Sequence, residues 1–362
     1  LAQATRLLAD ATQGRPLDDA IVAGAAFHPA ILSIAAEVIV RHLGSLGPAA
    51  RDLVATEAQL RPTRWRPPLR RILEDSNPAA QFQAATILDI IGAPEDVQRL
   101  RSAARMLRNQ PGSAILGRAL ARRLAPHVYV EDLGRVHLQI GERHVDGSTV
   151  RRKVLALLCY LIARPGQSAT REEVLEALWP DLPPNTALNS LNQTVYFLRR
   201  VFEPSFSEDL TAGYVGQDGE TVWLDRDLIS ARSQTCRELV RKMTPIPSPD
   251  DVLVLARLYR GRFALDFMYE DWASDYRDSL HASYLRVVEV AVRLDADSGH
   301  YNRGIEIAEL AADVEPDSED LQVALLRLYR VSGSLAAAAE QYGHYAQNLR
   351  DLGVEPQPLS DI

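Results

Sequence analysis

Residues 185–202 read Asn-Thr-Ala-Leu-Asn-Ser-Leu-Asn-Gln-Thr-Val-Tyr-Phe-Leu-Arg-Arg-Val-Phe. Leu188, Leu191, Val195, Leu198 and Phe202 recur at helical spacing and predict one buried stripe. Asn185 is a good N-cap. Between the apolar positions stand Asn189, Asn192, Gln193, Tyr196, Arg199 and Arg200. Side-chain amides can pair bidentately with adenine edges, and Arg reaches guanine or phosphate. Amides in the first half and two Arg near the end are the make-up of a helix that enters a DNA groove. The same residue types also make an ordinary solvated face, so the neighbouring sequence has to decide.

Upstream, Val150, Val154, Leu157, Leu158 and Leu161 lie on one helical face, and they predict a helix from near Ser148 that Pro165-Gly166 ends. Thr170-Arg171-Glu172-Glu173 is a capping box: the hydroxyl and the Glu173 carboxylate each satisfy a free N–H. The helix it opens runs through Val174, Leu175 and Leu178 to Trp179-Pro180. Downstream, residues 210–215 and 220–224 read as strands joined at Gln217-Asp218-Gly219, and Asp-Gly is a strong hairpin signal. Further upstream, Val128, Val130, Val136, Leu138 and Ile140, punctuated by Gly134, Gly141 and Gly147, read as short antiparallel strands. Strands, three helices and a closing hairpin predict a winged helix over residues 127–230.

The residues also carry a family resemblance. The matching pieces are Arg152-Lys153-Val154-Leu155-Ala156-Leu157-Leu158, Thr170-Arg171-Glu172-Glu173-Val174-Leu175, Ala177-Leu178-Trp179-Pro180-Asp181, the run from Leu191 to Leu198-Arg199-Arg200, and Gly213-Tyr214. Through them residues 128–228 resemble the OmpR-type winged helix of bacterial transcriptional activators of the SARP type. The resemblance implies that the third helix enters the major groove of double-stranded DNA while the hairpin touches the adjacent backbone. Asn189, Asn192, Gln193 and Tyr196 would then face bases, and Arg199 and Arg200 would contact phosphate or base. Two features depart from the pattern. Asp218 and Glu220 put negative charge at the hairpin tip, and residues 127–230 carry a net charge of −5. Non-specific affinity comes largely from neutralised phosphates. Such a domain would bind weakly alone, work as a pair of protomers, or have lost DNA binding.

Residues 231–362 read as helices. Gly299 and Gly333 are 34 apart, as are Leu294 and Leu328, and 34 is the tetratricopeptide period. Ala308, the Glu315-Pro316-Asp317 break and Ala338-Ala339 fit stacked helix–turn–helix units with small residues at close contacts. Tyr342 and Tyr345 read as packing residues. The stretch from Tyr259-Arg260-Gly261-Arg262-Phe263 through Trp272 to Leu352-Gly353-Val354-Glu355-Pro356 resembles the bacterial transcriptional activator domain of the same family, whose chain continues into another short helix.

Residues 1–126 also read as helical. His28-Pro29-Ala30 leads through Ala35-Ala36 to Leu43-Gly44, and Asn77-Pro78-Ala79 leads through Ala84-Ala85 to Ile91-Gly92, 49 residues later. Pro inside a helix start and Gly past its end mark one short helix each. The pattern resembles HEAT-type repeats, which stack helix pairs; an irregular helical domain is the alternative. Between the copies, residues 61–71 hold five Arg and Trp65. They read either as an anion-holding segment or as a proline-stiffened connection with solvated Arg. The fold class expected is thus mostly α: a helical-repeat segment (1–126), a central α+β winged helix (127–230) and a tetratricopeptide-like domain (231–362).

Composition narrows the functions. The net charge of −8 divides as +5, −5 and −8 over the three segments, without the basic footprint usual in a DNA binder. The only lysines are Lys153 and Lys242. Cys159 and Cys236 lack a partner motif, which fits a reducing cytoplasm. No apolar run approaches the roughly eighteen residues of a membrane span. The chain opens on Leu1, as a piece of a longer protein would. No phosphate loop, His-Glu-x-x-His or nucleophile elbow occurs, so no enzyme activity and no cofactor are expected. The favoured expectation is a DNA-binding regulator, dimeric, with RNA polymerase as a further partner. The rival is a protein-interaction scaffold whose winged helix no longer binds DNA.

Overall fold

The computed structural model describes residues 29–206, 211–243, 245–351 and 353–359. His28, Leu210 and Leu352, which figure in the sequence patterns above, lie outside these residues. The chain divides into two compact units: Leu1–Ala125 with Glu203–Gly213, and Pro126–Phe202 with Tyr214–Ile362.

Among the described residues of the first unit six helices follow one another: α1 (Pro29–Arg41), α2 (Pro48–Leu60), α3 (Pro62–Ile72), α4 (Pro78–Ile91), α5 (Asp96–Met106) and α6 (Arg118–Leu124). Proline opens the first four, where its missing N–H costs nothing. The expected duplicates are α1 and α4; they touch each other and share α3 as a neighbour. Their paired alanines, Ala35-Ala36 and Ala84-Ala85, are all buried, which lets the helices approach. Each 49-residue period holds three helices rather than the expected pair. Residues 61–71 are not a connection but most of α3, with Trp65 fully buried. Four of their five arginines are engaged within the unit. Arg70 grips Asp96 through Nε at 2.6 Å and Nη2 at 2.7 Å, Arg66 Nε donates to the Ile91 carbonyl, Arg71 pairs with Glu37, and Arg61 pairs with Glu57. The anion-holding alternative has little left to work with.

The second unit begins with a sheet of β1 (Val128–Glu131), β2 (His137–Ile140) and β3 (Arg143–Asp146), antiparallel as expected. Three helices follow: α7 (Arg152–Ala163), α8 (Arg171–Leu178) and α9 (Pro184–Phe202). A short strand β4 (Ser168–Thr170) precedes α8 and joins β6 (Thr221–Leu224), which pairs with β5 (Val215–Gln217) in the order β4-β6-β5. The final strand β7 (Ile229–Ala231) lies parallel to β1 and completes the first sheet. The wing hairpin is shorter than the sequence suggested: its first strand starts at Val215. The first helix likewise starts at Arg152, after a 3-10 turn over Gly147–Thr149.

The expectation of a single apolar face on α7 was too narrow. Every residue from Val154 to Ile162 is buried. One side packs on α8 and α9 and another meets a helix from beyond the winged helix. That part of the unit comprises α10 (Arg232–Lys242), α11 (Pro249–Leu258), α12 (Asp271–Ser298), α13 (Tyr301–Val314), α14 (Glu319–Val331) and α15 (Leu335–Asp351). From α12 on, each helix packs on the next. Gly299 (φ 74°) and Gly333 (φ 81°) end α12 and α14 in the left-handed conformation, so the 34-residue period is seen in matching turns. Ala308 and Ala338 are buried at the contacts, but Ala339 is exposed. Tyr345 is buried and donates to Glu319, and Tyr342 donates to the Gln357 carbonyl, so both serve packing.

The winged helix and the following helices are joined through Asp132. Its Oδ1 accepts from the Ser233 N–H at 2.8 Å and its Oδ2 from the Ser233 hydroxyl at 2.6 Å. Arg232 pairs with Glu131 beside it. The Ala264 N–H donates to the Asp132 carbonyl, and Arg152 pairs with Glu270 at 2.9 Å. Burial pushes the Asp132 carboxyl up to about 7, against the pull of the Ser233 donors and with help from the Glu131 charge.

Candidate nucleic-acid interface

The candidate surface is built on α9. Its inward stripe is Ala187, Leu191, Thr194, Val195, Leu198 and Phe202, with Leu188 only half-buried. The helix starts one residue earlier than expected, at Pro184, so Asn185 lies inside the first turn and is not its cap. The preceding helix α8 is held by the expected capping box. Thr170 Oγ1 accepts from the Glu173 N–H at 3.2 Å, and Glu173 Oε2 accepts from the Thr170 N–H at 2.8 Å. The Thr170 N–H and hydroxyl, both donating to Glu173 Oε2, hold that carboxyl below its ordinary range. Lys153 Nζ donates to the Leu178 carbonyl at 2.6 Å, closing the other end of α8.

On the outward face Asn189, Asn192, Gln193, Tyr196 and Arg200 are exposed, and Tyr196 is 44% exposed. Their spacing puts them on one side of the helix. The Arg200 guanidinium lies over the Tyr196 ring, 6.0 Å from its centre. Arg199 stands apart: it is half-buried, and its Nε donates to the Val215 carbonyl at 3.1 Å, tying α9 to the wing. A second tie runs from Gln217 Nε2 to Asn192 Oδ1 at 2.7 Å. Two further residues, not singled out for this surface from the sequence, lie beside it. Exposed Asn185 sits one turn before Asn189. Exposed Arg151, just before α7, lays its guanidinium over the Phe197 ring at 3.7 Å. The Asn185 amide was legible but was spent on a cap, and nothing in a linear reading places Arg151 beside α9.

The wing tip is acidic, as the sequence foretold, but Asp218 has a local task. Its Oδ1 accepts from the Glu220 and Thr221 N–H groups, at 2.8 and 2.7 Å, and from the Thr221 hydroxyl. These bonds keep its carboxyl below the usual range, so it stays ionised. The wing is braced from behind by the Arg171 N–H, which donates to the Glu220 carbonyl at 2.8 Å. At the base, Tyr214 packs on Phe202 and its hydroxyl donates to the Pro126 carbonyl. Among the described residues no cluster of His, Cys, Asp and Glu could hold a metal, and no helix is long and apolar enough to cross a membrane.

A three-helix bundle with a braced hairpin, its third helix outward and a helical-repeat region behind it, defines a winged-helix protein. Residues 147–214 match the family model described as "Transcriptional regulatory protein, C terminal", and residues 224–359 match "Bacterial transcriptional activator domain". This pair of adjacent matches supports a SARP-type bacterial transcriptional activator. Regulatory protein AfsR of Streptomyces coelicolor is 30% identical over 225 residues, covering 60% of this chain and 22% of that protein. Its namesake in Streptomyces griseus is 26% identical over 231 residues, covering 62% of this chain and 23% of that protein. The chain therefore spans less than a quarter of the length of the curated relatives it matches. A solved structure of Mycobacterium tuberculosis EmbR, in complex with a low-affinity phosphopeptide, is 17% identical with a TM-score of 0.43, covering 65% of this chain and 63% of that one.

Proposed function

We propose that the chain is a DNA-binding transcriptional activator that reads the major groove of double-stranded DNA with α9. The observation that carries this reading is the single exposed face of Asn189, Asn192, Gln193, Tyr196 and Arg200 on a helix flanked by a braced wing. In this reading the amides and Tyr196 face bases, and Arg200 and Arg151 contact phosphate. Arg199 acts mainly by holding the wing to the helix. The tetratricopeptide-like helices support a homodimer or a contact with RNA polymerase, and the HEAT-like first unit senses a signal or restrains the rest. The protein works in the cytoplasm, without catalytic activity of its own.

Selection from random oligonucleotides with the intact chain tests the proposal. A defined motif is expected. Gln193→Ala should relax one position of it at a cost of about 1–3 kcal/mol. Arg200→Ala should weaken all sequences alike and reduce the salt slope by about one. A library that comes back without enrichment would remove the reading. It would favour a protein-interaction scaffold, for which the ionised Asp218 and the exposed Glu220 at the wing tip speak.

A further inference from the structure

A cavity of about 410 Å³ opens in the second unit where the end of α7 faces α10 and α12. Pockets of about 300–1,000 Å³ are the usual size for small-molecule sites. One wall is basic: Arg164 at the end of α7, and Arg237 and Arg241 one turn apart on α10. A second wall is α12, which contributes Asp271, Trp272, Asp275, Tyr276, Ser279 and Ser283.

The two walls ask for different halves of one ligand. Arg164 lies over the Tyr160 ring at 4.4 Å and Arg237 over the Tyr276 ring at 5.3 Å. Stacking on a ring orients a guanidinium and leaves N–H donors at its rim, the geometry that suits phosphate oxygens. The Asp275 carboxylate repels a bare anion but accepts hydrogen bonds from hydroxyl groups, and the Ser279 hydroxyl both donates and accepts them. Three guanidinium groups against two carboxylates leave a net positive site, which a phosphate monoester with a hydroxyl-rich body would satisfy on both sides. We infer that this cavity binds a sugar phosphate, the phosphate on Arg164, Arg237 and Arg241 and the sugar hydroxyls on Asp275 and Ser279.

The position gives the site a consequence. Trp272 stacks edge-on to Tyr160 of α7, with ring centres 5.8 Å apart, and lies 5.3 Å from Phe267. Helix α7 is also the helix on which α9 packs. Occupancy would therefore stiffen the support of the outward helix. Binding itself stands whether or not α9 reads DNA.

Calorimetric titration of the full chain with ribose 5-phosphate, ribose and inorganic phosphate tests this, with tryptophan fluorescence as a second readout. Ribose 5-phosphate should bind about tenfold more tightly than phosphate or ribose and change the fluorescence. Arg164→Gln with Arg237→Gln should weaken it by about tenfold or more. Ser279→Ala, a milder change should the double variant not fold, should narrow its advantage over phosphate. Trp272→Phe should remove the fluorescence change and keep the heat. The inference is overturned by the absence of heat with ribose 5-phosphate at millimolar concentration. Equal affinity for phosphate, undiminished binding in the folded arginine or serine variants, or a fluorescence change that survives Trp272→Phe would overturn it as well.

Discussion

Arg199 and Arg200 are neighbours in sequence and have different tasks. Arg199 is half-buried with its Nε on the Val215 carbonyl, whereas Arg200 is exposed over Tyr196. Removing Arg199 leaves a wing carbonyl without its donor, a loss of about 1–3 kcal/mol where the site is water-poor. Arg199→Ala should therefore lower the midpoint of chemical unfolding, and Arg200→Ala should leave it within about 0.5 kcal/mol of the parent, as surface changes do. Equal midpoints for the two variants would show that Arg199 is not a structural tie. The sequence alone set both as contacts to DNA, because spacing places them on the same outward arc. Only the position of the wing, which no local pattern encodes, separates them.

At the scale of elements, the wing depends on a glycine. Gly216 stands directly across from Trp223 in the β5–β6 pair. The indole covers the glycine so closely that a methyl there would overlap the ring. An aromatic laid over a cross-strand glycine makes good the contacts the glycine lacks. Gly216→Ala should push Trp223 off and destabilise the hairpin by about 1–3 kcal/mol, the range for overpacking. A red shift of tryptophan emission would report the displacement, and an unchanged spectrum with unchanged stability would refute it. Helices were the legible part of this fold. The capping box at Thr170, the stripe of α9 and the paired turns at Gly299 and Gly333 lie where their patterns put them. Strands β4 and β7 were not legible, since three residues carry no usable alternation. The all-round burial of α7 was hidden too, because amphipathic spacing shows the face toward one neighbour and is blind to a second. The outward face of α9 was readable residue by residue; its partners in the wing were not.

At the scale of the whole second unit, Asp132 binds the winged helix to the helices behind it. Its carboxyl is raised from 3.8 to about 7, so between those values the native state keeps a proton that the unfolded chain has lost. The stability this group contributes is full in acid and falls as pH rises through about 7. Glu131 and Arg232 flank it, and Ser233, backed by the Tyr276 hydroxyl, faces it from α10. Asp132→Asn has no proton to lose. Urea midpoints of parent and variant should converge or cross in the variant's favour from pH 5 to pH 8, whereas a difference independent of pH would contradict the assignment.

The pairing of β1 with β7, and of Asp132 with a serine 101 residues later, also bears on how the chain is made. Contacts this distant form late, after the entropy of a long loop has been overcome. During synthesis the three-helix head emerges with its first sheet lacking one strand and its buried acid facing water. It closes only once Ser233 has cleared the ribosome, so a nascent chain stalled shortly after the wing should still be open to a protease.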